Sequence, residues 1–296
     1  MALATTHGAL QHSRMQTRRE FRGTLGLGAL GAAGLACAKT NGAAAAPPTS
    51  PMPFGIQLYT LRSIMGSDFD GTLAQVAAIG YKEVEFAGYY NRTPQQVRDV
   101  LQRNGLTSPS AHIPLPATDE EWKRNLDAAA VIGHQWAVVP WLDENQRKDL
   151  PKLADRLNHL GALTKAAGLR QGYHNHDFEF APAASGGTLL DAMVAGTDPS
   201  LVDFEMDVYW VTKAGSDPLA LMAKYPGRFP LLHLKDASPA PERKIVDVGA
   251  GTIDFTTILK TAKTQGLKHA YVENDNPGDP LTTARVSYAH LSKLSI

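Results

Sequence analysis

Cysteine is almost missing from these 296 residues: the only one is Cys37. A chain with no second thiol forms no internal disulfide, and the body beyond Cys37 offers no thiolate, so any ion held there sits among nitrogen and oxygen donors. An excess of one charge is missing too, because 29 Lys and Arg balance 29 Asp and Glu. Without a concentrated basic face, a nucleic-acid partner is not expected, since such binding is driven by neutralising phosphates. Long apolar runs are absent: none reaches the roughly 20 residues a helix needs to span a bilayer, so no membrane span is expected. Past the first fifty residues nothing in the composition suggests disorder. The chain is 43% hydrophobic and 20% charged, which is ordinary for a protein that buries a sizeable core.

The N-terminal stretch differs in kind. Thr17-Arg18-Arg19-Glu20-Phe21 precedes a weakly apolar, Gly/Ala-rich run from Gly23 to Ala38, and an Ala/Pro-rich stretch ends near Pro51. That is the layout of a twin-arginine export signal, with Met15 as an alternative start just before the arginine pair. The expectation is a signal and linker over 1–50, a single domain over 51–296, and a periplasmic or secreted location. Ala36-Cys37-Ala38 offers lipid anchoring at Cys37 as a second reading, although Gly34 stands where such motifs usually carry leucine. Cleavage after Ala46 removes Arg14, Arg18, Arg19, Arg22, Lys39 and Glu20, leaving 24 basic against 28 acidic residues. The twin-arginine route carries folded proteins, so a weakly held ion such as Mn²⁺ is acquired before tighter-binding ions compete.

From Pro53 onward, β-rich runs alternate with amphipathic stretches. Strands are expected at Phe54–Tyr59, Glu83–Phe86, Thr107–His112, Trp136–Pro140, Leu169–His174, Val202–Asp207, Leu231–Lys235 and Ala270–Glu273. Helical patterns include Phe69–Ile79, Thr93–Asn104, Asp119–Ile132, Leu150–Ala167, Pro218–Lys224, Phe255–Gln265 and Leu281–Leu294, with Thr118 and Asp254 as candidate N-caps. Eight such units imply an α/β protein with parallel strands and right-handed crossovers. A closed (β/α)8 barrel, which typically takes roughly 250 residues, suits the count better than an open doubly wound sheet. Gly249-Ala250-Gly251 does not support the open sheet, because it lacks the third glycine and does not follow the first strand.

Residues two apart on a barrel strand face the same side. The last four strands end in such pairs: His174 and His176, Glu205 and Asp207, His233 and Lys235, Glu273 and Asp275. Crowded, dehydrated carboxylates repel one another unless a cation compensates. One residue from each strand, His174, Asp207, His233 and Glu273, makes a two-nitrogen, two-carboxylate set for one divalent ion. Mn²⁺ is the favoured ion, with Zn²⁺, Co²⁺, Fe²⁺ or Mg²⁺ as alternatives. Structural hydrogen bonds and rim ion pairs are the competing reading. Gln57, Tyr59, Glu85, His112 and Glu205 also fall near strand ends as candidate substrate-binding residues. Trp136, Trp141 and Trp210 are candidates to stack on a sugar face or to pack in the core, with Trp210 carried forward as substrate-binding. Glu179, in the loop after the fifth strand, reads as a base, a ligand or a solvated acid.

Seven segments, in order, carry a resemblance. Gly55-Ile-Gln-Leu-Tyr-Thr-Leu-Arg62, Gly80-Tyr-Lys-Glu-Val-Glu-Phe-Ala-Gly88, Tyr173-His-Asn-His-Asp-Phe-Glu-Phe180, Phe204-Glu-Met-Asp-Val-Tyr-Trp210, His233-Leu-Lys-Asp236, Val248-Gly-Ala-Gly-Thr-Ile-Asp-Phe255 and Tyr271-Val-Glu-Asn-Asp275 resemble the sugar phosphate isomerase/epimerase family, the xylose isomerase-like TIM barrels. The resemblance runs from about Pro53 to the C-terminus. It implies one divalent ion held by Glu, Asp, His and Glu on the last four strands; Asp207, His233 and Glu273 match three, and His174 replaces the first Glu. It also implies a substrate-binding His near the position of Trp210.

The activity so implied is metal-dependent proton abstraction next to a carbonyl, with stabilisation of the enediolate. Glu273, His176 and Lys235 are the candidate acid–base groups, in that order. Isomerase or epimerase chemistry on a small sugar or keto-sugar is the first reading. A lyase or hydratase acting on 3-keto-glycosides or related keto sugars is the second, strengthened by the loss of the paired Glu at His174. A non-catalytic sugar binder and a DNA-repair barrel are the remaining alternatives, and the mildly acidic body opposes the latter. An oligomer is compatible with all of these readings.

Overall fold

The computed structural model describes residues 53–184 and 186–296. The arginine pair, Cys37 and the rest of the expected export signal lie outside the described residues.

Eight parallel strands close into a barrel. They are β1 (Gly55–Gln57), β2 (Glu83–Phe86), β3 (Thr107–His112), β4 (Trp136–Val139), β5 (Arg170–His174), β6 (Val202–Asp207), β7 (Leu231–Leu234) and β10 (His269–Val272), in the closed order β1-β10-β7-β6-β5-β4-β3-β2. A two-stranded antiparallel excursion, β8 (Asp236–Ala237) with β9 (Ile245–Val246), follows β7. The expected strands match within one or two residues, the first being shortened at both ends. There the chain leaves the sheet after Gln57, whose side-chain oxygen accepts from Tyr59 N (3.0 Å) and opens a short 3-10 turn over Leu58–Leu61. Helices at Leu189–Gly196 and Val208–Lys213 complete the alternation beyond those read from periodicity.

Local sequence explains the helix ends. Thr118 Oγ1 accepts from Glu121 N, Asp254 accepts from Thr257 N, and Thr93 with Gln96 forms a reciprocal capping box ahead of Pro94. Gly133 ends its helix at φ 103°, a left-handed conformation that costs a side-chain-bearing residue about 1 kcal/mol. The main apolar core lies between barrel and helices, built from residues such as Ile56, Val84, Phe86, Trp122, Leu157 and Phe204.

The lumen is filled differently. Barrel interiors are usually packed with branched apolar side chains. Here a small cluster of Trp136, Val138, Leu231 and Tyr271 shares the interior with polar groups. The period of two along β6 turns Asp203, Glu205 and Asp207 into successive steps. Asp203 binds Arg170 and Trp136 Nε1 at the lower end, and Glu205 and Asp207 lie above it. Strand register then pairs His174 with Glu205 and Asp207 with His233 across neighbouring strands. Gly172 on β5 permits the close β4–β5 approach, since a Cβ there would stand 2.7 Å from Val138 Cγ2.

Beyond β7, the buried Asp236 carboxylate gathers the returning chain. It accepts from the backbone N–H groups of Ala237 (2.8 Å), Gly249 (2.9 Å), Gly251 (3.0 Å) and Ile253 (3.1 Å). Asp236→Ala should therefore cost about 2–4 kcal/mol, because buried donors would lose a charged acceptor. Urea denaturation tests this: a loss below about 1 kcal/mol would show that the loop is held by other contacts.

Candidate metal centre

The polar strand ends meet in two tiers. In the lower tier lie Glu85 and Glu205, both fully buried. Glu205 Oε2 accepts from His112 Nε2 (2.7 Å) and His174 Nδ1 (3.0 Å) and stands 3.1 Å from His233 Nε2. Glu85 accepts from Gln57 Nε2 (2.8 Å), His233 Nε2 (2.6 Å) and the Ser110 hydroxyl.

In the upper tier lie Asp207, Glu273, Lys235 and Asp275. Asp207 Oδ1 caps the following helix, accepting from Tyr209 N (3.0 Å) and Trp210 N (3.2 Å). That leaves Oδ2 turned to the centre, 3.7 Å from His174 Nε2 and 3.0 Å from Lys235 Nζ. Glu273 Oε2 lies 2.7 Å from His233 Nδ1 and 2.9 Å from Lys235 Nζ. Lys235 also donates to Asp275 Oδ1 at 2.9 Å and Oδ2 at 3.1 Å.

His174 and His233 thus each give one nitrogen to the lower carboxylates and keep the other for the upper tier. His174 ties Nδ1 to Glu205 and faces Asp207 with Nε2; His233 ties Nε2 to Glu85 and Glu205 and faces Glu273 with Nδ1. Carboxylates holding the far nitrogen of a metal-binding imidazole orient the ring and raise its basicity.

The electrostatics follow from burial. Asp207, at 0% exposure, has its carboxyl pushed up to about 6 by dehydration, against the pull of Lys235 and His233. Burial would lower His233, but Glu205, Glu273 and Glu85 outweigh it and hold the ring well above its usual value. Burial also opposes ionisation of Glu273, yet Lys235 and His233 keep it well below the usual carboxylate range. Burial drives His174 far down, and it takes His176 to about 3, so both rings are neutral bases in this arrangement.

The residues fit a divalent ion. Four buried carboxylates, Glu85, Glu205, Asp207 and Glu273, crowd around the Lys235 ammonium and the His233 ring. Asp207 Oδ2 and Glu205 Oε1 make no hydrogen bond; the ammonium near Asp207 is close but not directed at it. Donor atoms of Asp207, His233 and Glu273 lie within 4.8 Å of one another, and a second such group comprises His112, His174, Glu205 and His233. We favour the upper set with His174 Nε2, because in the lower group Glu205 Oε2 is already the shared acceptor of imidazole N–H groups. These are the four residues expected from the strand pattern.

The other expected residues divide. Tyr59, His112, His176, Trp210, Lys235 and Glu273 border a cavity of about 630 Å³ above the centre. Gln57, Glu85 and Glu205 do not: each is 0% exposed and lies beneath the imidazoles, where it orients them instead of facing a substrate. Trp136 is also in the lower lumen, bonded to Asp203. Glu179, 1% exposed, turns away from the centre; its carboxylate accepts from Tyr173 OH and from His176 N (2.8 Å), and burial pushes it up to about 7. Asp275, read in the sequence only as one of a strand-end pair, is the partner of Lys235, and Asp236, the anchor of the next loop, carried no signal beyond following Lys235.

A (β/α)8 barrel that gathers carboxylates and imidazoles at its C-terminal rim is the class that fold and site define. Residues 73–294 match the family model described as xylose isomerase-like TIM barrel, and the chain belongs to that family. An inosose dehydratase from Bacillus anthracis is 27% identical over 203 residues, covering 61% of this chain and 66% of its own length. The chain thus spans just under two thirds of that relative. A solved sugar phosphate isomerase/epimerase from Parabacteroides distasonis is 29% identical, with a TM-score of 0.70 over 83% of this chain and 95% of that one. A second structure so described, from the same organism, is 25% identical, with a TM-score of 0.71 over 82% and 98%.

Two outcomes test the centre. Glu205→Gln should weaken Mn²⁺ binding by about 10- to 100-fold although Glu205 is outside the favoured ligand set; unchanged affinity by calorimetry would remove its orienting role. Because protons compete with the ion for Asp207, affinity should fall as pH drops through about 6. An affinity flat between pH 5 and 8 would contradict this.

Proposed function

We propose that the protein is a divalent-metal-dependent enzyme that removes a proton beside the carbonyl of a sugar or sugar-derived ketone. The observation that carries this reading is the clustering of Asp207, His233 and Glu273, whose donor atoms lie within 4.8 Å of one another, with His174 Nε2 3.7 Å from Asp207 Oδ2 and the Lys235 ammonium beside them, next to a cavity that His174, Lys235 and Glu273 border. Held by those four residues, Mn²⁺ or a similar ion supplies Lewis acidity that polarises a carbonyl and acidifies the adjacent C–H.

The side chains then sort into roles. Both protein contacts of Glu273 fall on Oε2, so Oε1 is the oxygen that takes the substrate proton. Lys235, raised well above its usual value by Asp207, Glu273 and Asp275 in spite of burial, stays an ammonium and donates to a substrate oxygen. His176, a neutral ring on the cavity wall, accepts from a substrate hydroxyl. The apolar and aromatic wall formed with Trp210 and Trp141 limits water around these groups.

Return of the proton to the neighbouring carbon isomerises, return to the opposite face epimerises, and loss of a β-hydroxyl eliminates water. Isomerase or epimerase chemistry is the first reading. A specific observation favours elimination as the second: among the described residues Glu273 is the one glutamate bordering the cavity, and β5 offers His174, tied to Glu205, where a second glutamate base would stand. The Bacillus relative named as a dehydratase supports the same alternative. Loading of the ion before export through the twin-arginine route completes the proposal.

Incubating the Mn²⁺-loaded protein with free ketoses and 3-keto-glycosides in D₂O, followed by NMR, tests it. Wild type should place deuterium at the carbon beside the carbonyl of one substrate class, and Glu273→Gln should slow this by about 10²- to 10⁴-fold. Equal exchange in Glu273→Gln would remove the base, and no exchange in any substrate would leave a sugar binder.

A further inference from the structure

We propose that the outer part of the cavity is a subsite for a second ring of the substrate, with Trp141 as its stacking surface, so that the substrate is a glycoside and not a free sugar. The proposal rests on the reading above, in which the reacting ring lies over Asp207, Glu273 and Lys235.

The cavity is graded. Its floor carries His174, Lys235, Glu273 and Asp275, whereas Pro114, Pro140 and Trp141 form an apolar border where the chain leaves β3 and β4. At about 630 Å³ it is in the range of pockets that enclose drug-sized ligands, roughly 300–1,000 Å³, and has room for more than one six-membered ring.

Trp141 is 51% exposed, an unusual state for so large an apolar side chain, yet it is held firmly. His176 and Phe178 meet it at ring separations of 5.0 and 5.3 Å and near-perpendicular angles of 90° and 84°. The Arg147 guanidinium lies 4.9 Å from its ring and 3.6 Å from that of Phe178, and is itself fixed by donation to Leu142 O at 2.8 Å. An indole already immobilised loses little entropy when a ligand docks, and its free surface gains by covering apolar C–H or aromatic area. His176 joins the two regions, since it lines the cavity beside Trp210 and also supports Trp141.

The shared chemistry of the occupant is a flat ring with an apolar face, supplied either by an aromatic aglycone or by a second pyranose. Calorimetry of the Mn²⁺-loaded full chain with methyl β-D-glucopyranoside, phenyl β-D-glucopyranoside and cellobiose separates the two sources. At least one two-ring ligand should bind about three- to tenfold more tightly than the methyl glucoside. Trp141→Ala should abolish that preference and Trp141→Phe should retain most of it. Equal affinity for all three ligands, a preference that survives Trp141→Ala, or no binding of any of them overturns the proposal. Because these ligands carry no ketone, the result is independent of proton exchange, whose loss would sink the proposed reaction instead.

Discussion

At the heart of the barrel one carboxylate oxygen, Glu205 Oε2, stands within 3.1 Å of nitrogens of three imidazoles, those of His112, His174 and His233. A charge this deeply buried is tolerated only if its neighbours compensate it, and here the three rings do so through Oε2 at a defined cost in freedom. Each ring that donates to Glu205 is fixed in orientation. His174 and His233 are fixed so that their remaining nitrogens point toward Asp207 and Glu273. His233 and His112 keep Glu205 itself well below the usual carboxylate range in spite of burial. The lower tier therefore sets the geometry of the upper one, and loosening it would loosen every donor above it.

The upper tier is also set from outside the barrel. Asp207 spends one oxygen on the cap of Val208–Lys213 and offers the other, so the start of a helix aims a candidate ligand. Glu179 does the same for His176 from below, holding its backbone with a buried carboxylate. Asp236, one residue beyond Lys235, draws four backbone N–H groups around itself and fixes the loop that follows. Rigid backbone contacts thus support a site in which like charges are crowded, and that crowding is what a divalent ion relieves.

Much of this was legible in the sequence because the barrel imposes a period of two on its strands. The pairs His174/His176, Glu205/Asp207, His233/Lys235 and Glu273/Asp275 marked the inward face, and the structure brings them together at one end of the lumen, with Glu205 beneath the others. Periodicity gives the side of a strand but not the depth along the lumen. Gln57, Glu85 and Glu205 therefore read as wall residues of a pocket, whereas they sit a layer below it and orient imidazoles. Depth depends on strand stagger, which comes from pairing between strands distant in sequence, such as Asp207 beside His233. Glu179 was ambiguous, and Asp236 went unread, for the same reason: a loop carboxylate that faces solvent and one that gathers backbone donors look alike until the chain returns. Trp141 was ambiguous because indoles serve cores and ligands equally well, and its exposure at the cavity border, which excludes a core role, is not written in the local sequence.

The central claim is that the upper tier, and not the lower one, grips a cation. Anomalous diffraction from a crystal grown with Mn²⁺ tests it most directly. The account predicts a single peak about 2.0–2.3 Å from His174 Nε2, Asp207, His233 Nδ1 and Glu273, with Lys235 displaced toward Asp275. A peak among His112, His174 and Glu205, or none within reach of Asp207, would contradict it.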